Sequence, residues 1–451
     1  MTPDFLDRIA AFAAELRFDD LPAEVVERAT RLLLDAIAVT VAGAAEPRVR
    51  GAAELLRRRG SQGRSLFVVD GGRGDAADAA LVNATAACAH VLDEGHKYAR
   101  GHVGTYVLPA VHAVAEERGA SGREFVTALV AGYEIAARLG MACRVRESMH
   151  PSGTWGTVGA AAAVARLVGF APARIREAMN VAAPLTLATS WQAATQGATV
   201  RDLYSGQGAA NAVMAPRWVE AGFTGSRDDV SHVFGHVAAE RFDRAAACDA
   251  LGGRWEVLRN YFKVHACCRN FQSGIDAALA LRERHGLRAA DVVRLTADTF
   301  AVPARDNVEA RPANVLAAKE SFPVSLALTL VNGRCDQSVF TDAHVAEPEV
   351  ARLAAACEVR CDPELDALAP EQRPSRITLQ LRDGRMLTAF EAVALGDPSR
   401  PLSPETLDAK FAQLVGARLG APRAERLRHA VHELPAQPSL EALAALLRPP
   451  T

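Results

Sequence analysis

The stretch from Thr157 to Phe170, TVGAAAAVARLVGF, carries small residues on every side of a helical wheel. A helix without a polar face has to be buried all round, and small side chains let its neighbours approach closely. Such a helix is central, so the chain must supply a layer of other helices around it. From residue 1 to about 265 it does: apolar residues recur at three and four spacing and alanine is abundant. In SGREFVTALVAGYEIAARLG, Ser121 can cap a first turn that Glu124 completes as a capping box, and Gly140 marks the end.

After about residue 269 the pattern changes. DVVRLTADTF and SRITLQLRDGRMLTAFEAVAL alternate as strands do, with Asp383-Gly384 as a two-residue turn between paired strands. SGIDAALALRERHG and AAKESFPVSLALTLVNG read as helices between them, and the tail, SPETLDAKFAQLVGARLG and PSLEALAALLRPP, is helical again. The expected fold is mainly α with a smaller α+β domain. It comprises a large, discontinuous all-helical domain of residues 1–268, an α/β lid of residues 269–404, and C-terminal helices of residues 405–451 that return to the helical domain.

Lys+Arg number 51 against 53 for Asp+Glu, so no global charge draws the chain to nucleic acid or to an anionic membrane. An anionic ligand would have to be bound by a local pocket. The eight cysteines show no CxxC spacing and read as buried thiols of a reduced compartment. MTPDFLDRIAAFAAELRF is an amphipathic helix without the basic head of a signal peptide, and no apolar run reaches the length of a spanning helix. A cytoplasmic protein is expected.

The chemistry-bearing residues concentrate in HVLDEGHKYARGH, residues 90–102. Asp93, His96 and His102 are metal-ligand types. The last two lie six apart across KYARG, which breaks any helical face, and no compensating ligand motif occurs elsewhere; no metal is expected. The bland reading is a helix bearing His90 and Asp93 one turn apart, followed by a solvated loop. Against it stands ESMHPSGTWGTVGAAAAVA, where His150 precedes the opening of the buried helix. Free N–H groups there suit a carboxylate ligand and lower an imidazole's pKa, leaving a neutral histidine that can act as a base. Lys263, His265 and Arg269 in KVHACCRN fall where the two domains meet, the usual place for a small-molecule cleft. The neighbouring Cys267 and Cys268 read as core thiols.

Six fragments occur in order along almost the whole chain: HVLDEGH…GH, LPAVHAVAEERGASGREFVTALVAGYEIAARLG, MHPSGTWGTVGAAAA, LYSGQGAANAVMAPRWVEAGFTG, KVHACCRNFQSGIDAALAL and AAKESFPVSLAL. In them the chain resembles the MmgE/PrpD family, whose members include 2-methylcitrate dehydratase, cis-aconitate decarboxylase and iminodisuccinate epimerase. The resemblance implies a helical domain plus a lid, a homodimer, and no metal or organic cofactor. It assigns catalytic roles to Asp93, His102 and His150; the candidate substrate contacts beside them are Arg201, Lys263, His265, Arg269, Gln272 and His96. Three positions depart from the family: Arg201 stands for a common lysine, Gln272 for a decarboxylase histidine and Val324 for a tyrosine. These departures point away from cis-aconitate decarboxylation and also weigh against 2-methylcitrate dehydration. The function expected is a cofactor-independent lyase or isomerase, such as a dehydratase, acting by acid/base chemistry beside a carboxylate of a small metabolite. The alternative is a diverged paralogue that binds a ligand or partner without turnover.

Overall fold

The computed structural model describes residues 3–449. The small-residue stretch lies in the Trp155–Leu167 helix up to Leu167, with every side chain from Trp155 to Ala165 buried, while Arg166 to Val168 are half-buried and Gly169, past the helix end, is exposed. The Val103–Arg118, Gly122–Ala142, Pro172–Ala182 and Val200–Glu220 helices surround it. At Gly159 a Cβ would lie 2.5 Å from the Ala136 Cβ and backbone N. Ser121 and Glu124 do form the capping box of the Gly122–Ala142 helix. That helix continues two residues past Gly140, which is a packing glycine against Ala99 and Trp155, and it ends as Cys143 enters a strand. Its 21 residues are long and apolar enough to cross a membrane, contrary to the sequence reading, but neighbouring helices cover its surface.

Three two-stranded ribbons interrupt the helical body: Ser65–Leu66 with Arg73–Gly74, Gly95–His96 with Asn260–Tyr261, and Cys143–Val145 with Ala239–Phe242. Runs this short carry no alternation to read. The second ribbon ties the histidine-rich stretch to the segment that leads into Lys263.

The histidine-rich stretch itself is not a helix. The Ala76–Cys88 helix ends before it, and Val91 has φ of +56°. A left-handed, β-branched residue costs on the order of 1–3 kcal/mol and survives only where its surroundings dictate it. The turn separates the two residues expected one helical turn apart: His90 faces Glu46 at 3.7 Å while Asp93 faces His102 at 3.1 Å.

The smaller domain is built on a four-stranded sheet in the order Met386–Glu391, Ser375–Leu381, Val292–Thr299, Cys357–Cys361, antiparallel except for the last pair. The expected hairpin is present, but its loop has three residues, Arg382 to Gly384. The Leu381 N–H bonds the Arg385 carbonyl at 2.8 Å, and Gly384 takes the left-handed position at φ +88°. AAKESFPVSLALTLVNG forms two helices, Val315–Lys319 and Phe322–Asn332, because Ser321 caps the second and Pro323 sits in its first turn. The Gln272–His285 helix packs between the second of these and the sheet. Past the sheet, the Pro404–Leu419 helix packs on the Ala23–Gly43 helix, with Lys410 and Asp35 paired at 2.5 Å. The cysteines are not uniformly buried: Cys361, ending the edge strand, is exposed, and Cys143 and Cys357 are half-buried.

The Gly159 contact is testable. Gly159→Ala must push the Trp155–Leu167 and Gly122–Ala142 helices apart, and should cost about 1–3 kcal/mol. The urea midpoint should fall with an unchanged slope.

Candidate active site

A cavity of about 470 Å³ opens where the two domains meet. The helical body contributes Val91, Arg100, His102, Arg146, His150, Trp155, Trp191 and Arg201, and the other wall contributes Lys263, Arg269, Glu320, Arg305 and Arg373.

His102 is the residue before the Val103–Arg118 helix. Its Nδ1 lies 2.7 Å from the Glu94 carbonyl and 3.1 Å from Asp93 Oδ2. Both partners are acceptors, so Nδ1 must carry the ring proton and Nε2 keeps the lone pair. Burial pushes this imidazole down to about 4, opposed by Asp93 and reinforced by Lys263 and Arg201. Asp93 does not line the cavity; it stands behind His102. Burial would raise its carboxyl, but His102, Lys263, Arg201 and the Thr105 hydroxyl outweigh that and hold it below the ordinary value. Thr105 donates to Asp93 Oδ2 at 2.9 Å, and Lys263 Nζ lies 3.9 Å from Oδ1.

His150 has the opposite tautomer. Its Nδ1 accepts the Ser152 N–H at 3.2 Å, so Nε2 carries the proton. Its ring stacks on Trp191 with centroids 5.2 Å apart and planes 19° apart. Burial, with Arg201 and His102 adding to it, drives the imidazole well below its ordinary value. At neutral pH the site therefore presents two neutral imidazoles, one offering a lone pair and the other an N–H.

Positive charge surrounds them. Seven cationic side chains line the cavity against four carboxylates, and Arg305 is already engaged by Asp306 at 2.7 Å. Arg201 is buried; its Nη1 donates to the Cys88 carbonyl at 3.0 Å. Its Nε and the Trp191 Nε1 have no hydrogen-bond partner among the described residues. Arg269 lies over the Tyr261 ring at 4.4 Å.

Three expected contacts fall outside the cavity. His96 is fully buried with Nε2 3.3 Å from Glu256, below the loop that its own backbone closes. His265 is paired with Asp276 at 2.8 Å. The Gln272 amide donates to the His265 and Cys267 carbonyls, both at 2.9 Å, and so fastens the turn rather than reaching a ligand. Of the two adjacent cysteines, Cys268 does line the cavity, but burial raises its thiol strongly. Among the described residues no three His, Cys, Asp or Glu side chains converge as metal ligands.

Several lining residues were missed. Arg100 lies inside the histidine-rich stretch, two before His102, and Arg146 lies four before His150, so both sat beside motifs already singled out. Glu320 lies inside AAKESFPVSLAL, another such motif, whereas Trp191 and Arg373 carry no local signal and are brought in by tertiary packing alone.

The MmgE/PrpD N-terminal domain matches residues 7–239 and the MmgE/PrpD C-terminal domain residues 265–435. The chain belongs to the MmgE/PrpD family. A cis-aconitate decarboxylase of Aspergillus terreus is 25% identical, with 98% of this chain and 95% of that protein covered. A cis-aconitate decarboxylase-like protein of Aspergillus oryzae is 25% identical over 97% and 95% of the two chains. The human cis-aconitate decarboxylase is 24% identical over 78% and 75%. This MmgE/PrpD protein is an enzyme of a lyase family.

The imidazole environments predict a pH response. His102 in the fold titrates at about 4 against an ordinary 6.5, so the stability gained by keeping it neutral is present above 6.5 and lost as pH falls toward 4. Melting temperature should drop across that window. The His102 ring signals should titrate near 4 by NMR, and lower still in Asp93→Asn, which removes the group that favours the imidazolium.

Proposed function

We propose that this enzyme is a hydro-lyase acting on a small polycarboxylate without a cofactor. The pair of neutral imidazoles in opposite tautomers carries the reading. His102 Nε2 takes a proton from the carbon beside a substrate carboxylate, and the Asp93 carboxylate behind it stabilises the imidazolium that forms. Arg201, Lys263 and Arg269 hold the charge that develops on the carboxylate. The C–O bond at the adjacent carbon then breaks as the double bond forms. The hydroxyl leaves as water with the proton returned by His102, while the His150 N–H bonds the departing oxygen. Atoms and charge balance, and both imidazoles end as they began.

Decarboxylation, the reaction named for the fungal and human relatives, makes the opposite demand. Loss of carbon dioxide leaves a carbanion that needs a proton from the enzyme. A resting site with His102 deprotonated down to about 4 does not hold one there. Arg201 hardly ever releases a proton. Val324 is apolar and buried, and Gln272 is fastened to backbone.

The test is turnover of a panel of hydroxy-di- and tricarboxylates, followed by the appearance of the unsaturated product. His102→Gln should lower kcat by about 10²- to 10⁴-fold. His150→Gln keeps an N–H and should lose less. Arg201→Lys loses two-pronged carboxylate binding and should raise KM first. Binding across the panel with no turnover would favour the ligand-binding alternative, and carbon dioxide release would overturn the elimination reading.

We also propose a cytoplasmic homodimer. Val200, Leu203 and Trp218 on the Val200–Glu220 helix, with Phe223 just beyond it, are exposed and apolar, a surface suited to a second copy. Light scattering should give twice the chain mass, and Leu203→Glu with Trp218→Glu should give the monomer.

A further inference from the structure

The chain has four lysines among its 51 basic Lys and Arg residues, and all four are buried. Lys97 donates to the Glu371 carbonyl at 2.7 Å. The other three converge on one loop. Lys319 Nζ donates to the His90 carbonyl at 3.1 Å, Lys263 Nζ to the Val91 carbonyl at 2.9 Å and Lys410 Nζ to the Leu92 carbonyl at 3.0 Å. Three successive carbonyls are thus taken by ammonium groups from three distant parts of the chain: the end of the Val315–Lys319 helix, the segment joining the domains, and the Pro404–Leu419 helix.

A helix or strand would have satisfied these carbonyls with backbone N–H groups. The left-handed turn at Val91 breaks both ladders, and buried carbonyls left unpaired are costly. A compact ammonium brings three donors to one point, so it can take a carbonyl and a second acceptor together. Lys410 extends the grip: it pairs with Asp35 Oδ1 at 2.5 Å, and Asp35 Oδ2 accepts the Glu94 N–H at 3.2 Å. The backbone is therefore held on both sides of Asp93. Lys319 and Lys410 do not line the cavity, so their contacts serve the loop and not a ligand.

We propose that Lys319 and Lys410 are positioning residues: with Lys263 they hold the 90–92 backbone in its left-handed turn and so set the Asp93 carboxylate against His102. The catalytic part of this rests on the acid/base role given to His102; the holding of the loop does not. Because the three ammonium groups come from separate parts of the chain, the site is complete only once the smaller domain and the C-terminal helices have docked.

Hydrogen exchange read by mass spectrometry on the full chain tests the holding directly. The variants are Lys319→Met, and Lys410→Met combined with Asp35→Asn so that no buried carboxylate is left without its cation. Lys97→Met, a buried lysine that grips another segment, is the control. Amides 90–94 should exchange about tenfold faster or more in both variants while the large helices stay protected, and should be unchanged in the control. If one variant fails to fold, the other makes the same comparison. With a substrate in hand, kcat should fall about tenfold or more in Lys319→Met with KM unchanged, because the cavity cations remain. Adding Val91→Gly, which adopts φ above zero without strain, should restore part of that loss. Unchanged exchange in both variants, or an equal rise in Lys97→Met, overturns the proposal. Faster exchange with kcat intact overturns its catalytic part. If the reading of His102 alone were wrong, His102→Gln would turn over like the wild type while the exchange result stood.

Discussion

A carboxylate as deeply buried as Asp93 persists in charged form only if the protein surrounds it with donors and opposite charge. His102 and Thr105 come from the start of one helix, Arg201 from another, and Lys263 from the segment joining the domains. Satisfying one side chain therefore fixes the relative placement of several elements. The next residue shows the contrast. Glu94 is pushed up to about 8 by burial, with Asp35 and Asp93 adding to the shift, and its oxygens accept from the Gly104 N–H, the Tyr133 hydroxyl and the Asn260 amide. Neighbouring carboxyls are driven apart, so that near neutrality one is ionised and the other is protonated.

The backbone then decides what each imidazole can do. A carbonyl at His102 Nδ1 and an N–H at His150 Nδ1 set opposite tautomers before any substrate arrives. Neither ring needs a change of charge to be ready, which is why burial of both is compatible with acid/base work. The stacked Trp191 keeps water from one face of His150 and holds its ring in plane, so the N–H is aimed as well as available.

The helical body, the change of character near residue 269 and the returning tail were legible because each follows from periodicity that packing then obeys. His102, His150, Arg201, Lys263 and Arg269 were legible too, through their motifs and the family resemblance. What failed was local geometry set by tertiary contact. The 90–93 stretch continues the alanine-rich pattern of the Ala76–Cys88 helix, and nothing in it announces a left-handed Val91, since the groups that stabilise that turn lie some 170 to 320 positions further along the chain. His96, His265 and Gln272 are ligand types in the right neighbourhood, but their partners Glu256, Asp276 and two backbone carbonyls turn them inward.

The departures at Arg201, Gln272 and Val324 form one physical set. Each replaces a side chain that can take part in proton transfer with one that cannot. Only the first keeps a charge, and Arg201 is fixed at one end by the Cys88 carbonyl with its Nε left free. Such a site loses acids while its cationic lining remains. In the proposed reaction the first proton comes from the substrate, by way of His102, which is the order of events in an elimination and the reverse of that in a decarboxylation.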